Sequence, residues 1–224
     1  MAEIHVREGF DVIVQKKQLF DKIAPILAAV LIIGAIAAHY ALDPWGFYRK
    51  VSQPEAALRL HVVQTAESSL GCRESDGSHE AIIDLYNAHE PLAAGYTVQY
   101  TDSWCATFVS AVSIQCGLTD ILPTECSCQR MIGLFQDMGR WEEDDGYIPL
   151  PGDIIFYDWD DKGLGDCTGW ADHVGIVVGT KWPFIKVIEG NKDDSVACRI
   201  LPLNAISIRG YGLPDYAEIA QNDP

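Results

Sequence analysis

The pattern of apolar and polar positions changes character twice along the chain, and each change marks a different kind of structure. Residues 23–42, IAPILAAVLIIGAIAAHYAL, form a run of twenty without an Asp, Glu, Lys or Arg. A helix of that length rises about 30 Å, the thickness of a bilayer's hydrocarbon layer, so the run reads as a transmembrane helix. Pro25 falls in its first turn, where proline is tolerated, and His39 and Tyr40 suit the polar interface at its far end. The alternatives are a signal peptide cut near Ala38 or Ala41 and a buried helix of a soluble domain. The preceding segment, 1–22, is long for a signal peptide and mixes acidic with basic residues. Arg7, Lys16, Lys17 and Lys22 precede the run and Arg49, Lys50 and Arg59 follow it, a slight bias toward a cytoplasmic N-terminus and an outer C-terminal domain.

From Pro54 onward the apolar positions recur with helical period. One helix is predicted from Pro54 to about Leu70, with Ala57, Leu58, Leu60, Val62, Val63 and Ala66 as its broad face and Gly71 closing it. A second follows Ser78, with Ala81, Ile82, Leu85 and Tyr86 inward. The loop from Glu90 to Tyr100 leads to a third, whose stripe is Cys105, Phe108, Val109, Val112 and Cys116, with Thr101, Asp102 and Ser103 as capping side chains. A fourth is expected within 126–141, followed by an acidic loop from Glu142 to Asp145.

At Pro151 the period shortens to that of strands. PGDIIFYDW (151–159), ADHVGIVVG (171–179) and FIKVIEG (184–190) read as strands, and a last strand pair as Ala197–Leu201 with Ile206–Gly210. Helices first and hairpin-connected strands afterwards predict an α+β fold, with helices packed on one side of an antiparallel sheet. The organisation expected is therefore a polar segment 1–22, a transmembrane helix 23–42, a linker 43–52, a domain 53–216 and a tail 217–224.

Composition narrows the function classes. With 224 residues and 48% apolar content the chain can bury a good-sized core. A formal charge of −16, with no local cluster of Lys and Arg, argues against a nucleic-acid partner.

Candidate chemistry begins at Cys105, on the first turn of the third helix. There the unpaired backbone N–H groups and the helix dipole favour negative charge, which lowers a thiol's pKa and makes it nucleophilic. Taken alone, Cys105 reads rather as one more apolar member of its stripe. A hairpin turning at Thr180, Lys181, Trp182 and Pro183 would set His173 opposite about residue 190, beside Glu189. That carboxylate could orient the imidazole and leave its other nitrogen free for a thiol's proton. Asn191 lies at the same end of the sheet, within reach of the ring or of a substrate carbonyl.

The sequences SWC at 103–105, PGDIIFYDW, ADHVGIVV and VIEGN, in this order, resemble the CHAP family of cysteine, histidine-dependent amidohydrolases and peptidases. They are more distantly similar to NlpC-type peptidases of the papain-like superfamily. The resemblance runs over roughly residues 53–212 and implies a papain-like α+β fold. It implies that Cys105 is the nucleophile, His173 the general base, Glu189 the residue orienting it and Asn191 an accessory polar group. The Cys105 backbone N–H would hold part of the oxyanion. The substrate it implies is peptidoglycan, cut through a thioester either between muramic acid and L-Ala or within the stem peptide or cross-bridge, with no metal or organic cofactor. Three roles follow: a bacterial cell-wall hydrolase, single-pass in the cell membrane through residues 23–42 with its domain extracytoplasmic, acting alone or with envelope or secretion machinery; a phage or prophage lysis enzyme with an Ala- and Gly-rich export anchor; or a non-catalytic envelope-binding module.

Metal sites are weakly signalled. Asp158, Asp160 and Gly163 imitate positions 1, 3 and 6 of a calcium loop, but Lys162 and Gly169 stand where oxygen ligands are needed, so a solvated acidic loop is expected. Trp159 and Trp170 flank it, as stacking platforms for sugar or peptide or as packing cover. Cys126 and Cys128 lack the second close Cys or His pair of a zinc site. Cys72, Cys116, Cys126, Cys128, Cys167 and Cys198 are an even set once Cys105 is set aside, and in an oxidising exterior they could pair as disulfides.

Overall fold

A computed structural model of the chain describes residues 51–160 and 169–222, with the single position Ala24. The predicted span 23–42, apart from Ala24, lies outside the described residues, as do the segment 1–22 and most of the linker. No helix among the described residues is long and apolar enough to cross a membrane.

The first helix, α1 (Gln53–Ser68), starts at Ser52, whose hydroxyl accepts from Glu55 N at 3.3 Å, with proline in the first turn. Helices α2 (Glu80–Asn87), α3 (Cys105–Cys116) and α4 (Cys128–Asp137) follow in the predicted places. Nine successive residues of α3, Cys105 to Ser113, are buried, so this helix is the axis of the helical layer. Its serines are satisfied internally. Ser113 Oγ donates to Leu122 O (2.5 Å), while Ser110 Oγ donates to Glu125 O (2.7 Å) and accepts from Glu125 N (2.8 Å). Thr101, Asp102 and Ser103 do not cap α3. Trp104 holds the N-cap position without a side-chain bond, and Asp102 instead accepts from Gln99 N and Tyr96 OH, bracing the preceding turn.

The strands are β1 (Trp141–Glu142), β2 (Ile154–Tyr157), β3 (His173–Lys181), β4 (Phe184–Lys192), β5 (Ser195–Pro202) and β6 (Ile208–Gly212). They form one six-stranded antiparallel sheet in the order β1-β6-β2-β3-β4-β5. The expected pairing of the last two strands is corrected: β5 pairs with β4, and β6 crosses to lie between β1 and β2. Their periodicity sets which face each side chain takes, and the choice of neighbour falls to the chain's path between them.

The sheet is apolar on both sides. Ile154, Phe156, Val174, Ile176 and Ile188 face the helices, while Ile155, Tyr157, Val177, Val187 and Tyr211 form a second core on the opposite face. The boundary drawn at 216 falls on the start of a further helix, α5 (Tyr216–Asn222). Its first residue is fully buried, and Tyr216 OH donates to Gly152 O at 2.8 Å.

Candidate active site

The site forms where the N-terminus of α3 reaches the end of β3. Trp104, fully buried, pins that terminus by donating its indole N–H to Glu74 Oε1 at 3.0 Å. With no side-chain cap competing for it, the Ala106 N–H is free to bond the Cys105 sulfur. The sheet approaches closely at Gly190: a Cβ there would lie 2.3 Å from Phe108 Cβ, so only glycine lets β4 and the first turn of α3 come this near.

The β3–β4 hairpin turns through Trp182 and Pro183, and a bulge between Val177 and Gly179 shifts its register. Ile176 pairs with Ile188, which continued along both strands sets His173 level with Asn191, one residue beyond the predicted partner. The expected neighbour is reached nonetheless. His173 and Glu189 lie diagonally on the face opposite the helices, and Glu189 crosses the space above Gly175 to bring Oε2 within 3.2 Å of His173 Nε2. That leaves Nδ1 as the ring nitrogen for the Cys105 thiol, whose interaction raises the imidazole.

The crossing makes Gly175 a sensitive position. A Cβ there would stand 2.8 Å from Glu189 Cγ and 2.6 Å from Val187 Cγ1. Gly175→Ala is expected to cost about 1–3 kcal/mol in stability through overpacking. By moving the carboxylate off the ring it should also lower kcat/KM by roughly 10²-fold. Urea unfolding together with kinetics of the folded variant tests both; unchanged kinetics would show that Glu189 does not orient His173.

Electrostatics completes the arrangement. Cys105 lies well below the ordinary thiol range: the hydrogen bond from Cys128 contributes most, burial opposes it, and His173 adds to the lowering. Burial works against charge on His173, but its bonds to Cys105 and Glu189 outweigh it and raise the imidazole to about 9. Glu189 is fully buried, which favours its neutral form, yet His173 and Arg199 hold it below the ordinary carboxyl range. These shifts favour a thiolate–imidazolium pair, with the carboxylate of Glu189 and the guanidinium of Arg199 behind it.

Arg199 and Cys128 carry no sequence signal for this site. Arg199 reaches Glu189 from β5, its Nε lying 2.6 and 2.9 Å from the two carboxylate oxygens. Trp159 lies under the Arg199 guanidinium (4.8 Å), stacks on Tyr157 (4.7 Å, 10° between planes) and stays 44% exposed. Trp170 is 77% exposed. Asn191, next to last in β4, has left-handed backbone (φ 53°), is partly exposed, and among the described residues no hydrogen bond joins its side chain to Cys105, His173 or Glu189.

Residues 95–191 match the family model described as CHAP domain. The match covers 97 of the 224 residues and agrees with the resemblance read from the motifs. No curated protein and no solved structure matches the chain. The CHAP match takes in Cys105, Cys128, His173, Glu189 and Asn191, and ends before Arg199. CHAP domains are typically cysteine, histidine-dependent amidohydrolases or peptidases, for which peptidoglycan is the substrate class implied.

The other predicted sites end differently. Lys162, Gly163 and Cys167 lie outside the described residues. Asp158 is buried rather than solvated, and its Oδ1 accepts from Asp160 N at 3.0 Å. Among the described residues no group of three or more His, Cys, Asp or Glu is placed to hold a metal ion. The six described cysteines are free thiols, and Cys116 donates to Thr65 Oγ1 at 3.3 Å.

Proposed function

We propose that the chain is a bacterial peptidoglycan hydrolase that cleaves an amide bond through a thioester on Cys105. The observation that carries the reading is the 3.2 Å contact of His173 Nε2 with Glu189 Oε2, with the second ring nitrogen left for the neighbouring Cys105 sulfur. The Cys105 thiolate attacks the amide carbonyl, whose oxygen takes the electron pair beside the Cys105 backbone N–H. The His173 imidazolium then gives its proton to the leaving amine. Water attacks the thioester, His173 takes its proton, and the acid leaves with the thiolate restored. Glu189 orients the ring throughout, and Asn191 serves as an accessory polar group toward substrate. The domain acts outside the cell membrane, tethered through residues 23–42; the uncharged run of twenty supports that tether.

Digestion of purified sacculi by the full chain, with mass spectrometry of the soluble products, tests the reading. The masses separate an N-acetylmuramoyl-L-alanine amidase from a stem or cross-bridge endopeptidase. A folded protein that releases no fragments from several wall chemotypes would overturn the hydrolase reading.

A pH profile tests the roles. His173 is raised, so it stays protonated as pH increases and loses its proton only near 9. The acid needed by the leaving amine is lost above that point, and kcat/KM is expected to fall there, with the coupled pair titrating as a unit. Glu189→Gln removes one of the two anions that hold the imidazolium, so this alkaline limb should move to lower pH. A limb that stays in place would remove Glu189 from the proposed series.

A further inference from the structure

No step of the mechanism passes through Cys128, yet its sulfur lies against that of Cys105 and its hydrogen bond favours the thiolate there. Cys105 Sγ and Cys128 Sγ lie 3.5 Å apart, joining the first residues of two helices 23 positions apart in sequence. Both are buried but keep some exposed surface, 6% and 8%.

The arrangement is anchored. Glu125, itself 2% exposed, is clasped to α3 by Ser110 Oγ, which donates to its carbonyl and accepts from its N–H. Its carboxylate then accepts from Cys126 N (2.9 Å), Ser127 N (3.2 Å) and Arg130 Nε (2.7 Å), which fixes the entry to α4. Ser110 and Cys105 belong to one helix, so the position of Cys128 is set relative to Cys105. The neighbouring Cys126 is engaged elsewhere, with its Sγ donating to Glu125 Oε1 at 3.6 Å.

We propose that Cys105 and Cys128 form a dithiol site that a small-molecule disulfide oxidises to an intramolecular disulfide, reversibly masking the nucleophile. The masking, as opposed to the bond itself, rests on the reading of Cys105 as nucleophile. The sulfurs need to close by only about 1.5 Å to reach disulfide length. The Cys105 thiolate attacks one sulfur of the reagent, forming a mixed disulfide and expelling one thiolate. Cys128 loses its proton to that thiolate and attacks Cys105 sulfur, expelling the second thiolate, which takes a proton from solvent. Cys105 enters as thiolate and so needs no further proton loss; in sum two protein thiols are oxidised and one reagent disulfide is reduced to two thiols. The asymmetry suits these parts, because Cys105 is lowered while its hydrogen bond and burial raise Cys128 well above the ordinary thiol range, making Cys105 the attacking and Cys128 the resolving sulfur.

The test is treatment of the full chain with oxidised glutathione, then iodoacetamide, then non-reducing digestion and mass spectrometry. The expected product has lost two hydrogen atoms, carries the Cys105 and Cys128 peptides as one linked species, and alkylates at Cys105 at least about tenfold more slowly. Dithiothreitol should restore both thiols. Cys128→Ser should leave Cys105 as a glutathione mixed disulfide without the linked species, and Cys126→Ser should leave the link intact. Undiminished alkylation of Cys105 after oxidation, or a link to any other cysteine, overturns the proposal. This readout needs no wall substrate. A linked pair in a protein that digests no sacculi would leave the dithiol standing and the hydrolase reading fallen, whereas digestion without the link would do the reverse.

Discussion

Cys105→Ala is expected to lower amide hydrolysis by at least about 10⁴-fold while the domain stays folded. Among the described residues, the group removed is the only sulfur that combines a helix N-terminus, a neighbouring imidazole and a pKa held below the ordinary range. Alanine is the best helix former and keeps the backbone N–H proposed to face the oxyanion, so the loss isolates the thiol from its setting. Cys128 is close enough to be suspected as a substitute. It starts a different helix, however, and is raised where Cys105 is lowered, so Cys105→Ala/Cys128→Ser should show no further loss. Release of soluble wall fragments per unit time, compared across wild type, single and double variants, reads the effect. A Cys105→Ala protein within tenfold of wild type would remove this residue from the chemistry.

The second large effect is expected in stability, at a residue remote from the chemistry. Asp153 is fully buried and accepts from Arg59 Nη1 (2.7 Å), Tyr147 OH (2.7 Å) and Leu150 N (2.8 Å). Burial pushes its carboxyl above the ordinary range, against the pull of Arg59. Arg59 also donates to Glu55 Oε1 and Pro151 O, and its guanidinium lies 4.6 Å over the Tyr216 ring. One buried node thus joins α1, the entry to β2 and α5. Asp153→Ala leaves a buried guanidinium short of its partner and orphans the Tyr147 hydroxyl and the Leu150 N–H, at an expected cost of about 3–5 kcal/mol. Asp153→Asn keeps acceptor capacity and should cost less. Urea unfolding followed by far-UV circular dichroism measures both, and a loss below about 1 kcal/mol for alanine would show that the node does not bind these elements together.

These two residues were unequally legible. Cys105 announces itself because a helix stripe, a helix start and a cysteine coincide within a few positions, all of them local properties. Asp153 sits in PGDIIFYDW, where it reads as turn chemistry before a strand; its partners Arg59 and Tyr216 are far off in sequence. Glu189 was legible as a neighbour of His173 because a hairpin ties the two together through a short turn. Its exact partner level was misjudged by one residue: the strands pair as far as Lys181 and Phe184, so the turn is two residues shorter than expected and moves the level by two, and the bulge at Val177/Gly179 takes one of them back. Gly175 belongs with it, for nothing along β3 says that another strand's side chain passes overhead.

What the sequence by itself determined is the content of the layers: four helices then strands, the α+β class, and the residue types Cys105, His173 and Glu189 in an order that resembles CHAP domains. Period and short-range turns carry that information, because each depends on residues near one another in the chain. What only the tertiary structure decided is company. It set β6 beside β2 and β1 instead of β5, put Arg199 on the carboxylate of Glu189, and brought Cys128 within 3.5 Å of Cys105. Each of these follows from how the faces of separate elements are brought together, and a one-dimensional pattern specifies a face without naming what it meets.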